Sequence, residues 1–218
     1  MKTLKIGIVG GGATGDVKFE NISVTGTVAG SSRVGGILGW IKRFKVASFI
    51  NVINKSSVSG VGCVGGIFGG GYANYTGNVS ISNCLNSGDV TGKENVGGIL
   101  GTCDGGTISN VCSVAERNDG LGILADSFAE YATDAENCYW LNNVANNKGV
   151  EKGFNSYQEY NNCSYFTQKA NNCPLLQLNN KDLVETLNEW VEDNGTDKYC
   201  KWEYEIVDGL AYPKMRIF

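Results

Sequence analysis

The residues able to do chemistry in this chain are few, and their spacings can be weighed one at a time. Gly10-Gly-Gly12-Ala-Thr-Gly15 follows the apolar run Leu4 to Val9 and spells G-x-G-x-x-G, the loop that holds a pyrophosphate against the N-terminus of a helix. That chemistry requires a helix to begin at the glycines. Instead Asp16-Val-Lys-Phe-Glu-Asn-Ile-Ser-Val-Thr-Gly-Thr-Val28 follows, alternating and rich in β-branched residues, which predicts a strand. No acidic residue stands near twenty positions on to hold a ribose, so dinucleotide binding is not expected.

Histidine is absent from the 218 residues. That excludes Ser-His-Asp and Cys-His nucleophiles, His-x-x-His metal sites and the His-Glu-x-x-His protease helix. The eight cysteines (63, 84, 103, 112, 138, 163, 173 and 200) are never spaced Cys-x-x-Cys, so zinc-ribbon and thioredoxin-type sites have no support. Asn83-Cys84 and Asn137-Cys138 share one phase of a repeat, as small buried apolar residues would. The pair best placed for a disulfide is Cys163–Cys173.

Glycoside hydrolysis would need two carboxylates about 5–10 Å apart. Asp104, Glu116, Asp119, Asp126 and Asp134 are the candidates, but they form no Asp-Asp pair and do not recur at one repeat phase. Asp104-Gly105-Gly106 is too little for a calcium-binding nonapeptide repeat. Tyr72, Tyr75, Tyr139, Trp140, Tyr157, Tyr160 and Tyr165 could line a carbohydrate or protein platform, although packing of loops and cap is the preferred reading of them. Within residues 69–77, the longest insertion between repeats, Tyr72, Asn74 and Tyr75 mark the candidate ligand surface, since insertions in repeat proteins gather on one face. No catalytic residue, metal ligand or cofactor site is assigned.

The element that must position all of these is a hexapeptide written three times: Val34-Gly35-Gly36-Ile37-Leu38-Gly39, Val64-Gly65-Gly66-Ile67-Phe68-Gly69 and Val96-Gly97-Gly98-Ile99-Leu100-Gly101, at steps of 30 and 32 residues. Fainter copies flank it at residues 6–10 and 121–125. A second anchor runs in parallel, Asn21, Asn51, Asn83, Asn110 and Asn137, at steps of 30, 32, 27 and 27. Between the anchors lie short segments rich in β-branched residues, separated by Gly, Asn and Ser corners. None is long or periodic enough for a helix. One such unit cannot bury its apolar side chains alone, and stacking successive units strand on strand gives a continuous core.

The fold expected is therefore all-β: a parallel β-solenoid of about four to five turns, right-handed by the chirality of parallel crossovers. Residues 1–140 hold the repeats. Gly35, Gly36 and Gly39, with Gly65, Gly66 and Gly69 and with Gly97, Gly98 and Gly101, serve a turn or a close approach of backbones. The block reads as an extended segment with Val34 and Leu38, and Val64 and Phe68, on one face and Ile37 and Ile67 on the other. The asparagines suit tight corners or a stacked amide ladder.

Residues 141–178 are Asn-rich and read as a connecting segment with a strand or two packed over the array. Within 179–218, Leu183, Val184, Leu187, Trp190 and Val191 fall on one helical face, with Asn179 or Asn180 as cap and Gly195 past the end. Trp202 to Ile206, a turn at Asp208-Gly209 and Leu210 to Met215 form a hairpin. Helix and hairpin together make a small α+β cap, expected to cover the open edge of the last turn.

The Val-Gly-Gly-Ile-Leu/Phe-Gly blocks, with Asn-x-x-x-x-Gly-x-Val-x-Gly phrases between them, resemble the GLUG-motif repeats of bacterial cell-surface proteins, which occur also in streptococcal IgA-protease-like surface proteins. Asn137-Cys138-Tyr139-Trp140 and the tail, through Gly209-Leu-Ala-Tyr-Pro213, are similar to the run-out of such arrays. The resemblance implies an extracellular or surface-attached, adhesin-like module binding host glycans or surface proteins, or acting as a rigid spacer. The zinc motif of the protease relatives has no counterpart here. The rival expectation is a polysaccharide-active β-helix hydrolase or lyase.

Bulk properties are compatible with both. The net charge of −4 comes with no basic cluster beyond Lys42-Arg43 and Lys45, too small a footprint for nucleic acid. No apolar run reaches the roughly 20 residues of a membrane helix. Met1-Lys-Thr-Leu-Lys5 lacks the apolar core of a signal peptide, and the repeat phase is already under way at Ile6, as in a piece of a longer chain.

Overall fold

A computed structural model describes residues 7, 10–72, 78–103, 105–116, 119–120, 122–127, 133–142 and 160–217. They form a parallel β-solenoid of about four turns with a helix and a hairpin packed on it. Each complete turn crosses four faces. The long face takes Val17–Val24, Val46–Asn54, Asn78–Ser82 with Leu85–Asn86, Gly106–Ser113, Thr133–Leu141, and Tyr160–Asn161 with Ser164–Phe166. The chain then makes a short face (Thr27–Ala29, Ser57–Ser59, Val90–Thr91) and a third (Ser32–Gly35, Gly62–Gly65, Glu94–Gly97). The fourth is Ala13–Thr14, Leu38–Lys42, Phe68–Tyr72, Leu100–Cys103 and Leu124–Ser127. The repeat period is the perimeter of one turn.

Register explains why the repeats are spelled alike. Val28 pairs with Val58 and Val58 with Val90; Val34 pairs with Val64 and Val64 with Val96; Leu38 pairs with Phe68, Phe68 with Leu100, and Leu100 with Leu124. The six valines make a column of their own. The main core lies beside it, where Phe49, Val52, Ile81, Ile108 and Val111 of the long face meet Ile37, Leu38, Ile67, Phe68, Ile99 and Leu100 of the glycine blocks. Like residues stacked at the strand spacing of about 4.8 Å set matching apolar shapes against one another along the axis.

The glycine block is not one extended segment. The strand Ser32–Gly35 ends, the chain bends at Gly36-Ile37, and a new strand starts at Leu38. Val34 therefore enters the valine column while Ile37 and Leu38 both enter the main core, in place of Val34 and Leu38 sharing a face. Close approach is what demands glycine here. A Cβ on Gly36 would lie 2.3 Å from the Gly66 carbonyl oxygen and 2.5 Å from Asn54 Cγ, and Gly66 repeats this against Gly98 and Asn86.

At the N-terminal end Ala13–Thr14 pairs with Ile41 and Lys42, and Val17–Val24 pairs along Val46–Asn54. No helix begins at the G-x-G-x-x-G glycines, and without helical amides there is no pyrophosphate site.

The helix Leu183–Asn194 ends at Gly195 as the pattern predicts. Its N-cap is Asp182, whose Oδ1 accepts from the Glu185 amide at 3.0 Å. Asn179 and Asn180, the expected caps, instead take left-handed φ of 53° and 59° in the turn before it. The strands Trp202–Val207 and Leu210–Met215 pair antiparallel around Asp208 and Gly209, both at positive φ as a two-residue hairpin turn requires. Among the described residues no helix is long and apolar enough to cross a membrane.

The position of this helix and hairpin corrects the expectation of an end cap. They pack against the side of the stack, over the long face, in a second core that joins Ile53, Leu85, Cys112, Tyr139 and Phe166 to Leu183, Leu187, Trp190, Val191, Trp202 and Met215. The cause is an apolar stripe on the outside of the solenoid, which only a lateral cover removes from water.

Candidate binding face

The long face is divided by its asparagines. Asn21, Asn51, Asn83, Asn110, Asn137 and Asn162 all hold left-handed φ, between 49° and 56°. A left-handed residue within a strand shifts the alternation by one. Phe49 and Val52 thus both face inward, as do Ile81 and Cys84, Ile108 and Val111, and Ala135 and Cys138. Outward side chains fall into two limbs. After the asparagine they are Ile53, Leu85, Cys112 and Tyr139, buried under the helix and hairpin.

Before the asparagine they are mostly polar; the exceptions are Val46, which is exposed, and Ile50, which stands in register with Ser82 and joins the covered core. One register column holds Ser48, Ser80, Thr107 and Asp134; the next holds Ser82, Ser109, Glu136 and Asn161. Ser48, Ser80 and Ser109 are half-buried, and Thr107, Asp134, Glu136 and Asn161 are exposed. At the C-terminal end of this strip Thr107, Ser109, Asp134, Glu136 and Asn161 surround a shallow depression of about 250 Å³.

The asparagine ladder forms the boundary. Asn51 Nδ2 donates to Asn21 Oδ1, Asn83 Nδ2 to Asn51 Oδ1 and Asn110 Nδ2 to Asn83 Oδ1, each at 2.8 Å. Higher up, Asn162 Nδ2 donates to Asn137 Oδ1 at 2.6 Å. Much of the remaining amide capacity goes to the covering elements, while Asn110 Oδ1 is buried with no hydrogen-bond partner, a break in the ladder before Asn137. Asn51 donates to the Lys198 carbonyl at 2.9 Å and accepts from the Cys200 amide at 3.1 Å. Asn83 donates to the Cys200 carbonyl at 2.8 Å, and Asn110 to the Leu187 carbonyl at 3.2 Å. The expected corner and the expected ladder are the same structure, and the ladder has a second task as the seam that holds the cap.

Two features escape a reading by repeat phase. Asn162 is a sixth ladder residue, inside the Asn-rich segment, at a step of 25 and without a glycine block to announce it. Asn54 and Asn86, each three residues after a ladder asparagine, form a second stack in which Asn54 Nδ2 donates to Asn86 Oδ1 at 2.7 Å. The Asn-x-x-Asn spelling was the available signal.

The other predicted residues are dispersed. Tyr72 ends the strand Phe68–Tyr72, opposite Lys42, and Asn74 and Tyr75 lie outside the described residues. Tyr139 is fully buried beneath the cap and Trp140 sits in the main core, with Tyr165 half-buried and its ring centroid 6.3 Å away. These three are packing residues and not a surface platform. Glu116 Oε1 accepts from the Tyr212 hydroxyl at 3.2 Å, and Asp104 lies outside the described residues. Asp134 shares its depression with Glu136, two residues on in the same strand, a carboxylate pair that is not spelled Asp-Asp.

None of the eight cysteines is joined in a disulfide. Cys163 and Cys173 are not bonded to each other: Cys163 faces the solenoid interior, whereas Cys173 lies in the core between solenoid and cap. Burial pushes the Cys84 thiol up to about 12. No cluster of three Cys, Asp or Glu side chains suited to a metal ion occurs among the described residues.

A larger groove, about 640 Å³, crosses the cap between Tyr199, Cys200, Met215 and Ile217. The charged groups on its walls are already engaged, Arg216 with Glu203 at 2.6 Å and Lys201 with Glu192 at 2.8 Å. Comparison with protein-family models, with curated proteins and with solved structures finds no match to this chain.

Proposed function

We propose that the chain is a non-enzymatic solenoid module of a secreted or surface-attached bacterial protein, a rigid rod that binds a polyhydroxylated polymer, such as a host glycan, along one face. The observation that carries this reading is the polar limb of the long face. The limb after the asparagines is apolar and covered; before them the column Ser48, Ser80, Thr107 and Asp134 keeps a hydroxyl or carboxylate at successive rungs and stays uncovered, joined toward the C-terminal end by Ser109 and Glu136. Hydroxyls repeated at the strand spacing of about 4.8 Å present donors and acceptors in a row, which suits an extended polymer better than a compact ligand. The likeness of the glycine blocks to GLUG repeats supports the surface location.

A second reading, a polysaccharide hydrolase, draws on Asp134 and Glu136 lining one depression. Hydrolysis needs one carboxyl kept protonated, commonly against an apolar wall. These two stand exposed on an open sheet among hydroxyl groups, so the binding reading is preferred.

The test is a panel of immobilised polysaccharides and mucins, read for retained protein and for released sugar in the same wells. Retention that is lost in Thr107→Arg together with Ser109→Arg, with no sugar released, is the expected result. Released sugar that disappears in Glu136→Gln would replace the proposal with the hydrolase, and retention unchanged in the double variant would remove the polar limb as the site.

A further inference from the structure

Cys138 lies on the strand Thr133–Leu141 and Cys163 in the two-residue break between Tyr160–Asn161 and Ser164–Phe166 on the next rung, and the register is pinned on both sides of that break. Glu136 stands against Asn161 and Tyr139 against Ser164, which sets Cys138 against Cys163. In-register strands run about 4.8 Å apart, inside the range of Cα separations that a disulfide spans. Each cysteine follows a left-handed asparagine, Asn137 or Asn162, which turns both side chains to the same interior side. Cys163 Sγ donates to the Ala135 carbonyl of the neighbouring strand at 3.6 Å, so the thiol already leans across the gap.

We propose that Cys138 and Cys163 are a redox pair that closes into a rung-to-rung disulfide when the protein meets a small-molecule disulfide oxidant. Cys163 is the entry point because it is half-exposed, whereas Cys138 is fully buried. The hydrogen bond from Cys138 holds the Cys163 thiol below its ordinary range, and burial pushes Cys138 well above it. The Cys163 thiolate attacks one sulfur of the oxidant and expels the other half as a thiolate, leaving a mixed disulfide. Cys138 then attacks Cys163 Sγ, passes its proton to the departing thiolate and releases the second half. Two protein thiols are oxidised and one external disulfide is reduced to two thiols.

The bond would fasten the last rung to the stack. That rung carries Phe166, which bridges to Leu175 and belongs to the core between solenoid and cap, so the closed pair ties the end of the array to the segment leading into the cap. The pairing holds whether or not the polar limb binds a polymer.

The full chain is incubated folded with oxidised glutathione, quenched in acid, unfolded, alkylated and mapped by mass spectrometry. The expected product is one crosslinked peptide joining Cys138 to Cys163, lighter by two hydrogens, with the buried cysteines outside the pair alkylated, half-exposed Cys63 at most carrying a glutathione adduct, and amide exchange at residues 160–166 slowed. In Cys138→Ser, Cys163 keeps a glutathione adduct because nothing resolves it. Cys163→Ser, at the half-exposed position, leaves Cys138 unmodified. Full alkylation of both residues in the oxidised wild type overturns the proposal. So does a crosslink from Cys163 to any other cysteine, or a glutathione adduct on Cys138 in Cys163→Ser.

Discussion

The indole Nε1–H of Trp202 donates to Oδ1 of Asn83 at 2.7 Å, joining the C-terminal hairpin to the third rung of the asparagine ladder. The same Oδ1 accepts from Asn110, and the Asn83 amide donates both to Asn51 and to the Cys200 carbonyl. All four hydrogen bonds of this buried amide are made, two along the solenoid axis and two across to the cap. A buried polar group satisfied in this way specifies position, because any shift of the cap by one rung breaks several bonds at once.

Replacing Asn83 by Ala leaves the Trp202 indole, the Asn110 amide and the Cys200 carbonyl without their partner. The expected loss is about 3–4 kcal/mol of unfolding free energy, measured by denaturant titration. Asn21→Ala, at the exposed end of the ladder, costs about 1 kcal/mol or less. Equal losses at the two positions would mean that the ladder does not hold the cap.

Gly66→Ala tests the close approach in the glycine block. Its Cβ would come within 2.2 Å of the Gly98 carbonyl oxygen and 2.4 Å of Asn86 Cγ, neither of which can retreat without opening the corner. A loss of about 4 kcal/mol or failure to fold is expected. The control is Gly62→Ala, whose Cβ finds nothing nearer than Glu94 Oε2 at 3.8 Å and which stays within about 0.5 kcal/mol of wild type.

Removing residues 179–218 uncovers Ile53, Leu85, Cys112 and Tyr139. An exposed apolar stripe along a parallel sheet self-associates. The truncated chain is expected to bind a hydrophobic dye and sediment as aggregate, whereas the full chain does neither; a dye-negative, soluble truncation would show that the cap is dispensable.

Thiol reactivity follows burial. In the folded protein Cys63 and Cys163, both half-exposed, react with a disulfide reagent at neutral pH, while Cys84, Cys112, Cys138, Cys173 and Cys200 wait for unfolding. Labelling of Cys84 as fast as Cys63 would contradict its place in the core.

Asp16 carries an acid-side dependence. The backbone amides of Val46 and then Lys45 bond its Oδ1, at 3.0 and 2.6 Å, and hold its carboxyl below the ordinary value of 3.8. A folded-state pKa lowered in this way contributes stability that is complete above 3.8 and is lost as pH falls through the lowered value. Asp16→Asn keeps a neutral acceptor, so its thermal midpoint is expected to fall less than that of the wild type on acidification from about pH 4 to pH 2. Parallel curves would dismiss Asp16 as a titrating corner.

The repeated glycine blocks, the five asparagines from Asn21 to Asn137 and the helical face of Leu183, Leu187 and Trp190 determined by themselves that this protein is a parallel solenoid, of four to five turns by the repeat count, with a helix and hairpin after it. Those features are local or periodic, and a period of one perimeter appears in sequence because equivalent residues must stack. Tertiary structure alone decided where the cap sits, because the apolar stripe of Ile53, Leu85, Cys112 and Tyr139 reads as interior until the left-handed asparagines shift the alternation and turn it outward. It also decided that Cys163 faces Cys138 and not Cys173, that Asp134 and Glu136 share one depression, and that Asn162 adds a rung. Each of these depends on register between strands some 25–30 residues apart, or on which side of a bent strand a side chain leaves, and neither is carried by the spacing of residues along the chain.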